Sequence, residues 1–174
     1  MIISVSRRTD IPAFYAEWFY NRLRAGYVLV RNPMNVHNVS KVALSPEVVD
    51  AFVFWTKNPL PLMKRLDELV EYPYYFQFTL TGYGKDIEPG LPDKKQVLLP
   101  AFKELAAKTG RQRVIWRYDP IFFSSRYSAE YHLECFEALA AELSGSTERC
   151  VISFMDEYRN TKRNAQKLGA VNYS

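Results

Sequence analysis

Residues 51–81 read AFVFWTKNPLPLMKRLDELVEYPYYFQFTLT. Two runs in this stretch, AFVFWT (51–56) and YYFQFTLT (74–81), are rich in aromatic and β-branched residues and predict strands. Between them Leu62, Leu66 and Leu69 recur at helical spacing after Pro59, which predicts an amphipathic helix. Strands joined by a helix rather than a short turn pair in parallel through a right-handed crossover. The fold class therefore depends on whether this strand–helix unit repeats along the chain.

It repeats in both directions. Upstream, IISVS (2–6) predicts a strand that runs into the polar string Arg7, Arg8, Thr9 and Asp10. Pro12 then opens a helix marked by Tyr15, Phe19 and Leu23 and stopped by Gly26. Downstream, Leu98, Phe102 and Leu105 mark a helix ended by Gly110, and RVIWRY (113–118) predicts a further strand. A helix capped by Ser128 and lined by Leu133, Phe136, Ala140 and Leu143 follows. CVISFM (150–155) begins another unit, with residues 157–168 helical before Gly169. YVLVR (27–31) and VSKVAL (39–44), separated by a segment holding Asn32, Pro33, Asn35 and Asn38, predict a hairpin-like insertion. Ser45 and Pro46 then open a short helix containing Val48 and Val49. The final AVNYS reads as neither a partnered strand nor a cap.

The expected fold is α/β, a partial (β/α) TIM-like barrel with mainly parallel strands. A full barrel needs roughly 250 residues, so the 174 present predict one truncated barrel-like domain over 1–174, or the N-terminal part of a longer protein. No GxGxxG or GxxxxGK[ST] follows the first strand, which removes the usual nucleotide-binding reasons for an open doubly wound sheet.

Composition narrows the partners. The 23 basic and 19 acidic residues are intermixed, so the net charge of +4 does not single out nucleic acid. The densest basic stretch, Arg159 to Lys167, reads as a solvated helix face. No run approaches the roughly 20 apolar residues of a membrane span, and MIISVSRRTD lacks the apolar run of a signal peptide. Cys135 and Cys150 are too few for a disulfide framework and lack CxxC spacing, so a reducing cytoplasm is the expected location.

In parallel α/β folds the loops leaving the carboxyl ends of the strands build the site. Here that rule selects Arg7, Arg8, Thr9 and Asp10, then Thr56, Lys57 and Asn58, then Thr79 and Thr81, then Arg117, Tyr118 and Asp119, and finally Ser153, Asp156 and Tyr158. Alternation puts Gln77, Thr79 and Thr81 on a cavity-facing side, opposite Phe76, Phe78 and Leu80. It also groups Ile115, Arg117 and Asp119 against Trp116 and Tyr118, and a guanidinium inside a fold must find an anion or a carboxylate. Each residue has a plainer reading as well: Asp10 as a helix cap, Lys57 and Asn58 as a turn into a helix, Arg117 and Asp119 as a structural tie. His132 reads as structural and His37 as a loop residue; Asp86, Glu88 and Asp93 read as solvated turn residues, not a metal cage.

The strings SRRTDIPAFY, GYVLVRNP, VFWTKNP, YPYYFQFTLTGYG, RVIWRYDPI and RCVISFMD, taken together, resemble the bacterial family of domain of unknown function 1848 (DUF1848). Members of that family resemble radical S-adenosylmethionine enzymes and carry a cysteine cluster for a [4Fe-4S] centre near the C-terminus. The resemblance implies a partial barrel that uses S-adenosylmethionine and a [4Fe-4S] cluster; this chain has no such cysteine cluster, so either the cluster cysteines lie beyond Ser174 in a longer parent or this version does not perform the radical chemistry. Under that reading Arg7, Arg8, Lys57 and Arg117 bind anionic groups of cofactor or substrate, Thr56, Asn58 and Thr79 join the cofactor site, and Asp10 and Asp119 orient the reacting groups. Lys57, Asp10 and Asp119 are the candidate catalytic residues. The second reading is a cluster-free module that binds a phosphorylated metabolite or single-stranded nucleic acid, with Trp18, Trp55 and the tyrosines as stacking surfaces. Both expect a small-molecule partner more than nucleic acid, no membrane, and exposed strand edges that favour dimerisation.

Overall fold

A computed structural model describes residues 1–5, 8–155 and 170–171. The expected helix over 157–168, the basic stretch from Arg159 to Lys167, and the candidates Arg7, Asp156 and Tyr158 lie outside the described residues. The chain is mixed α/β, and its main sheet has five strands: β1 (Ile2–Ser4), β4 (Ala51–Thr56), β5 (Tyr74–Thr79), β6 (Val114–Ile121) and β8 (Cys150–Phe154), hydrogen-bonded in that order. β1 pairs with β4 in parallel, Ile2 opposite Ala51 and Ser4 opposite Val53. β6 pairs with β8 in parallel, Trp116 opposite Cys150. By internal packing the chain divides into two compact units, Met1–Gln77 and Phe78–Ser174.

In the first unit, β1 leads into α1 (Ile11–Phe14) and α2 (Ala16–Ala25). Gly26 ends α2 in the left-handed region, φ 74°, where its amide donates to the Leu23 carbonyl at 3.0 Å. The predicted hairpin is present: β2 (Tyr27–Arg31) and β3 (Val39–Ala43) pair antiparallel, Tyr27 opposite Ala43. Residues 45–49 form a single turn, not the expected helix. The Val48 and Val49 amides both reach the Ser45 carbonyl, and the Asp50 amide then bonds to Met1, which draws the chain straight into β4.

β4 buries Phe52, Val53, Phe54 and Thr56, as a strand covered on both faces must. Its aromatic residues meet α2: Phe19 lies edge-on to Phe52 and Phe54, at 5.5 and 5.4 Å between ring centres. The helix expected across Leu62, Leu66 and Leu69 is broken into α3 (Leu60–Met63) and a 3-10 turn over Leu66–Leu69. The break falls at Arg65, which leaves helical geometry at φ −139°, ψ 35°. Its guanidinium is drawn instead to Glu17, Glu68 and the face of the Tyr20 ring.

In the second unit, a π-helical turn over Lys94–Leu98 precedes α4 (Leu99–Thr109), whose Phe102 stacks on Phe78 of β5 at 5.0 Å. β6 is longer than its predicted 113–118 and passes through a cis Asp119–Pro120 peptide to Ile121. Trp116 and Tyr118 point from it towards α5 (Ala129–Leu143), where Trp116 stacks on Phe136 at 4.8 Å. α5 is capped by the Ser128 side chain as predicted, but Leu133 is 69% exposed and does not line its buried face. The buried position falls one residue earlier, on His132, whose ring bonds Tyr118 and the Phe122 carbonyl. β7 (Phe123–Ser124) pairs antiparallel with β9 (Ala170–Val171), so the terminal AV, expected to have no strand partner, has one.

Candidate functional site

The parallel register of β1 and β4 brings the loops that leave them together. Asp10 follows β1, and one oxygen of its carboxylate accepts the Ala13 amide at 3.0 Å, capping α1. The other oxygen accepts the Lys57 amide, from the loop after β4, at 2.7 Å. Burial raises the Asp10 pKa above the usual aspartate value, and the bonds from Lys57, Thr56, Ala13 and Asn58 oppose that rise. The Thr56 hydroxyl accepts the Asn58 amide at 3.0 Å, and the Asn58 side chain accepts the Leu60 amide at 3.3 Å. Asp10, Thr56, Lys57 and Asn58 are thus one hydrogen-bonded junction that launches α1 and α3. Arg8 is exposed beside it and donates to the Arg31 carbonyl of β2 at 2.8 Å.

A cleft of about 540 Å³ opens next to this junction, at the carboxyl end of β1. Ile3, Ser4 and Val5 of the first strand, Val28 to Arg31 of the hairpin, Phe19 of α2 and Phe52 of β4 contribute to a largely apolar wall. Three arginines also line it, Arg8, Arg22 and Arg31, with no carboxylate among the described residues of the lining. Arg22 has a buried Nε with no hydrogen-bond partner among the described residues. Trp18, one helical turn before Arg22 on α2, lines the cleft with 44% of its surface exposed. Of the lining residues the strand-end rule found Arg8 and Thr9. Arg22, Arg31 and Trp18 come from a helix and a hairpin; Trp18 was reached from the sequence as a stacking surface, and for Arg22 the signal is its four-residue spacing from Trp18 on one helix face.

The second unit holds the other candidates. Arg117 and Asp119, two apart on β6, lie on one side of the strand as alternation predicts and form a two-point ion pair. The Arg117 Nε donates to one Asp119 oxygen at 2.9 Å, a terminal guanidinium nitrogen bonds to the other, and the Ser153 hydroxyl of β8 approaches that second oxygen at 3.4 Å. Thr79 ends β5, half-buried. Thr81 and Gln77 are buried. Glu88, read from the sequence as a solvated turn residue, is buried: it accepts from Thr81 and from Lys94, which also donates to the Thr81 and Tyr83 carbonyls. That correction has a physical reason, since a carboxylate can enter the interior once a lysine and a hydroxyl replace its water. His132 accepts from or donates to Tyr118 through Nδ1 at 3.0 Å, and its Nε2 lies 3.1 Å from the Phe122 carbonyl. A carbonyl can only accept, so Nε2 carries the proton and Nδ1 accepts from the tyrosine.

The cofactor implied by the family resemblance needs a cluster of cysteine thiolates, and this chain does not fit it. It has two cysteines. Cys135 sits in α5, facing the backbone at Gly82, and Cys150 starts β8 with its thiol pushed up to about 11 by burial, the reverse of what a thiolate ligand requires. Among the described residues no group of three histidine, cysteine or acidic side chains is placed to hold a metal ion. No helix among them is long and apolar enough to cross a membrane.

Residues 2–174 match the family described as "Domain of unknown function (DUF1848)". No curated protein and no solved structure matches the chain.

Proposed function

The chain belongs to the DUF1848 family, and from that premise we propose that it is a ligand-binding part of a (β/α) barrel that captures a small anionic molecule at the carboxyl end of β1. The observation that carries this reading is the cleft with three arginines and no carboxylate among the described residues of its lining. Arg8 and Arg31 are exposed and Arg22 is half-buried, and three guanidiniums gathered on one cleft attract an anion that can meet more than one of them. The cleft volume also falls in the range typical of small-molecule sites, roughly 300–1,000 Å³. The Asp10 junction supports the same reading in a different role, since both oxygens of Asp10 bond backbone amides and hold the loops beside the cleft in place. The parallel pairs and intervening helices favour the barrel architecture, and the outer strand β8 gives the sheet an edge suited to self-association.

Calorimetric titration with pyrophosphate tests the proposal. Binding is expected in the wild type, weakened about tenfold or more by Arg22→Gln and by Arg31→Ala, for loss of one charged hydrogen bond each. Arg111→Ala, which removes an exposed partner of Glu148 outside the cleft, should bind as the wild type does. No pyrophosphate binding, or equal losses in all three variants, would reject the cleft as an anion site.

A further inference from the structure

The cleft is shaped for a ligand with two chemically different ends. We infer that it takes a nucleotide-class molecule, a phosphate joined to a planar ring, with the phosphate on the arginines and the ring on Trp18; this rests on the anion-binding reading above.

Three features of the site lead there. The first is size: an inorganic anion in a space of about 540 Å³ would leave most of the wall in water, and that wall is built of Val28, Leu29, Leu44 and Phe52. A purely ionic ligand gives such a wall nothing to bury. The second is Trp18, an indole 44% exposed that lines the cleft and has no aromatic or cationic neighbour on its ring among the described residues. Phe19 and Phe52 line the same space but are buried by their packing on each other and on Phe54, so Trp18 is the ring with a face to offer. Base-on-aromatic stacking is tolerant of base identity and strong enough to matter.

The third feature is the placement of charge. Arg22 sits one turn after Trp18 on α2, and its Nε is buried with no acceptor among the described residues. Its side chain lines the cleft, which sets its positive charge beside an entering anion. Arg8 lines the same cleft, tethered to the Arg31 carbonyl through one terminal nitrogen, and its guanidinium has further donors to offer an anion. The helix thus offers a flat apolar surface and a cation side by side, which matches a ring and a phosphate in one molecule.

The test is a titration series with pyrophosphate, ribose 5-phosphate, adenosine, and the 5′-monophosphates of adenosine, guanosine, cytidine and uridine. The expected order places the nucleotides about tenfold or more tighter than ribose 5-phosphate or adenosine, with little spread among the four bases. Trp18→Ala should reduce nucleotides to the level of ribose 5-phosphate and leave ribose 5-phosphate and pyrophosphate unchanged; Trp18→Phe should keep part of the gain. Arg22→Gln should weaken every phosphate ligand alike. Circular dichroism and a thermal melt establish that each variant is folded. Should ribose 5-phosphate bind as tightly as the nucleotides, or Trp18→Ala weaken both classes equally, the ring subsite is wrong while the anion site stands. Should neither pyrophosphate nor any nucleotide bind, both fall together.

Discussion

His132 illustrates how a titratable side chain is committed to structure. It is 5% exposed, and its two ring nitrogens join Tyr118 of β6 to the Phe122 carbonyl. Burial lowers its pKa from the ordinary 6.5, so the folded state binds fewer protons than the unfolded state between the lowered value and 6.5. Stability from this residue is therefore complete above 6.5 and is lost as pH falls towards the folded pKa. Urea unfolding at about pH 7.5 and about pH 5.5 should show the wild type losing more stability on acidification than His132→Gln. The variant should also be less stable at the higher pH by about 1–3 kcal/mol, for the hydrogen-bond partners left unmet. Equal acid sensitivity in the two proteins would contradict the assignment. The same residue marks the edge of what a sequence reveals: its structural role was readable from its place beside an apolar stripe, but its partners were not, because Tyr118 lies 14 residues away on a strand.

Elements are tied together by close approaches as much as by apolar faces. Gly82, just past β5, lies against α5 so tightly that an added Cβ would fall 2.8 Å from both the Cβ and the Sγ of Cys135. The Tyr131 hydroxyl donates to the Gly82 carbonyl at 2.7 Å, which holds the helix at that spacing. Gly82→Ala should cost about 1–3 kcal/mol by overpacking, read as a lower midpoint in chemical denaturation. A midpoint equal to that of the wild type would mean that α5 can move away freely. Most of the strands and the longer helices were legible from residues 51–81 and their repeats, because periods of two and 3.6 survive in the apolar pattern. The short elements were not. At Arg65 helix propensity competes with the pull of Glu68, three residues on, and of Glu17, which lies 48 residues away in the sequence and so outside any local pattern. On α5 Phe136, Ala140 and Leu143 keep the inner face as predicted, but its first position is His132, four residues before Phe136, in place of Leu133, and the two hydrogen bonds of its ring hold it there.

At the scale of the molecule, among the described residues the sheet's last strand on one side is β8, whose Ile152 and Phe154 are 54% and 60% exposed and stand on one face of the strand. Apolar edge strands invite pairing with another chain. Static light scattering over a concentration series should show self-association, and Ile152→Lys should shift the protein towards monomer. A wild type that scatters as a monomer at every concentration would remove this expectation. The candidate site was legible in the same uneven way: the strand-end rule reached Arg8 and the Asp10–Lys57 junction, whereas the cleft draws its other cations and its indole from α2 and the β2–β3 hairpin, which that rule passes over.

One carboxylate has a consequence that reaches beyond its own contacts. Asp10 holds the first turn of α1 with one oxygen and the chain after β4 with the other. Neither segment can swing away without severing the bond that steadies its neighbour, so the two turns at this corner are pinned to each other and yield together or not at all.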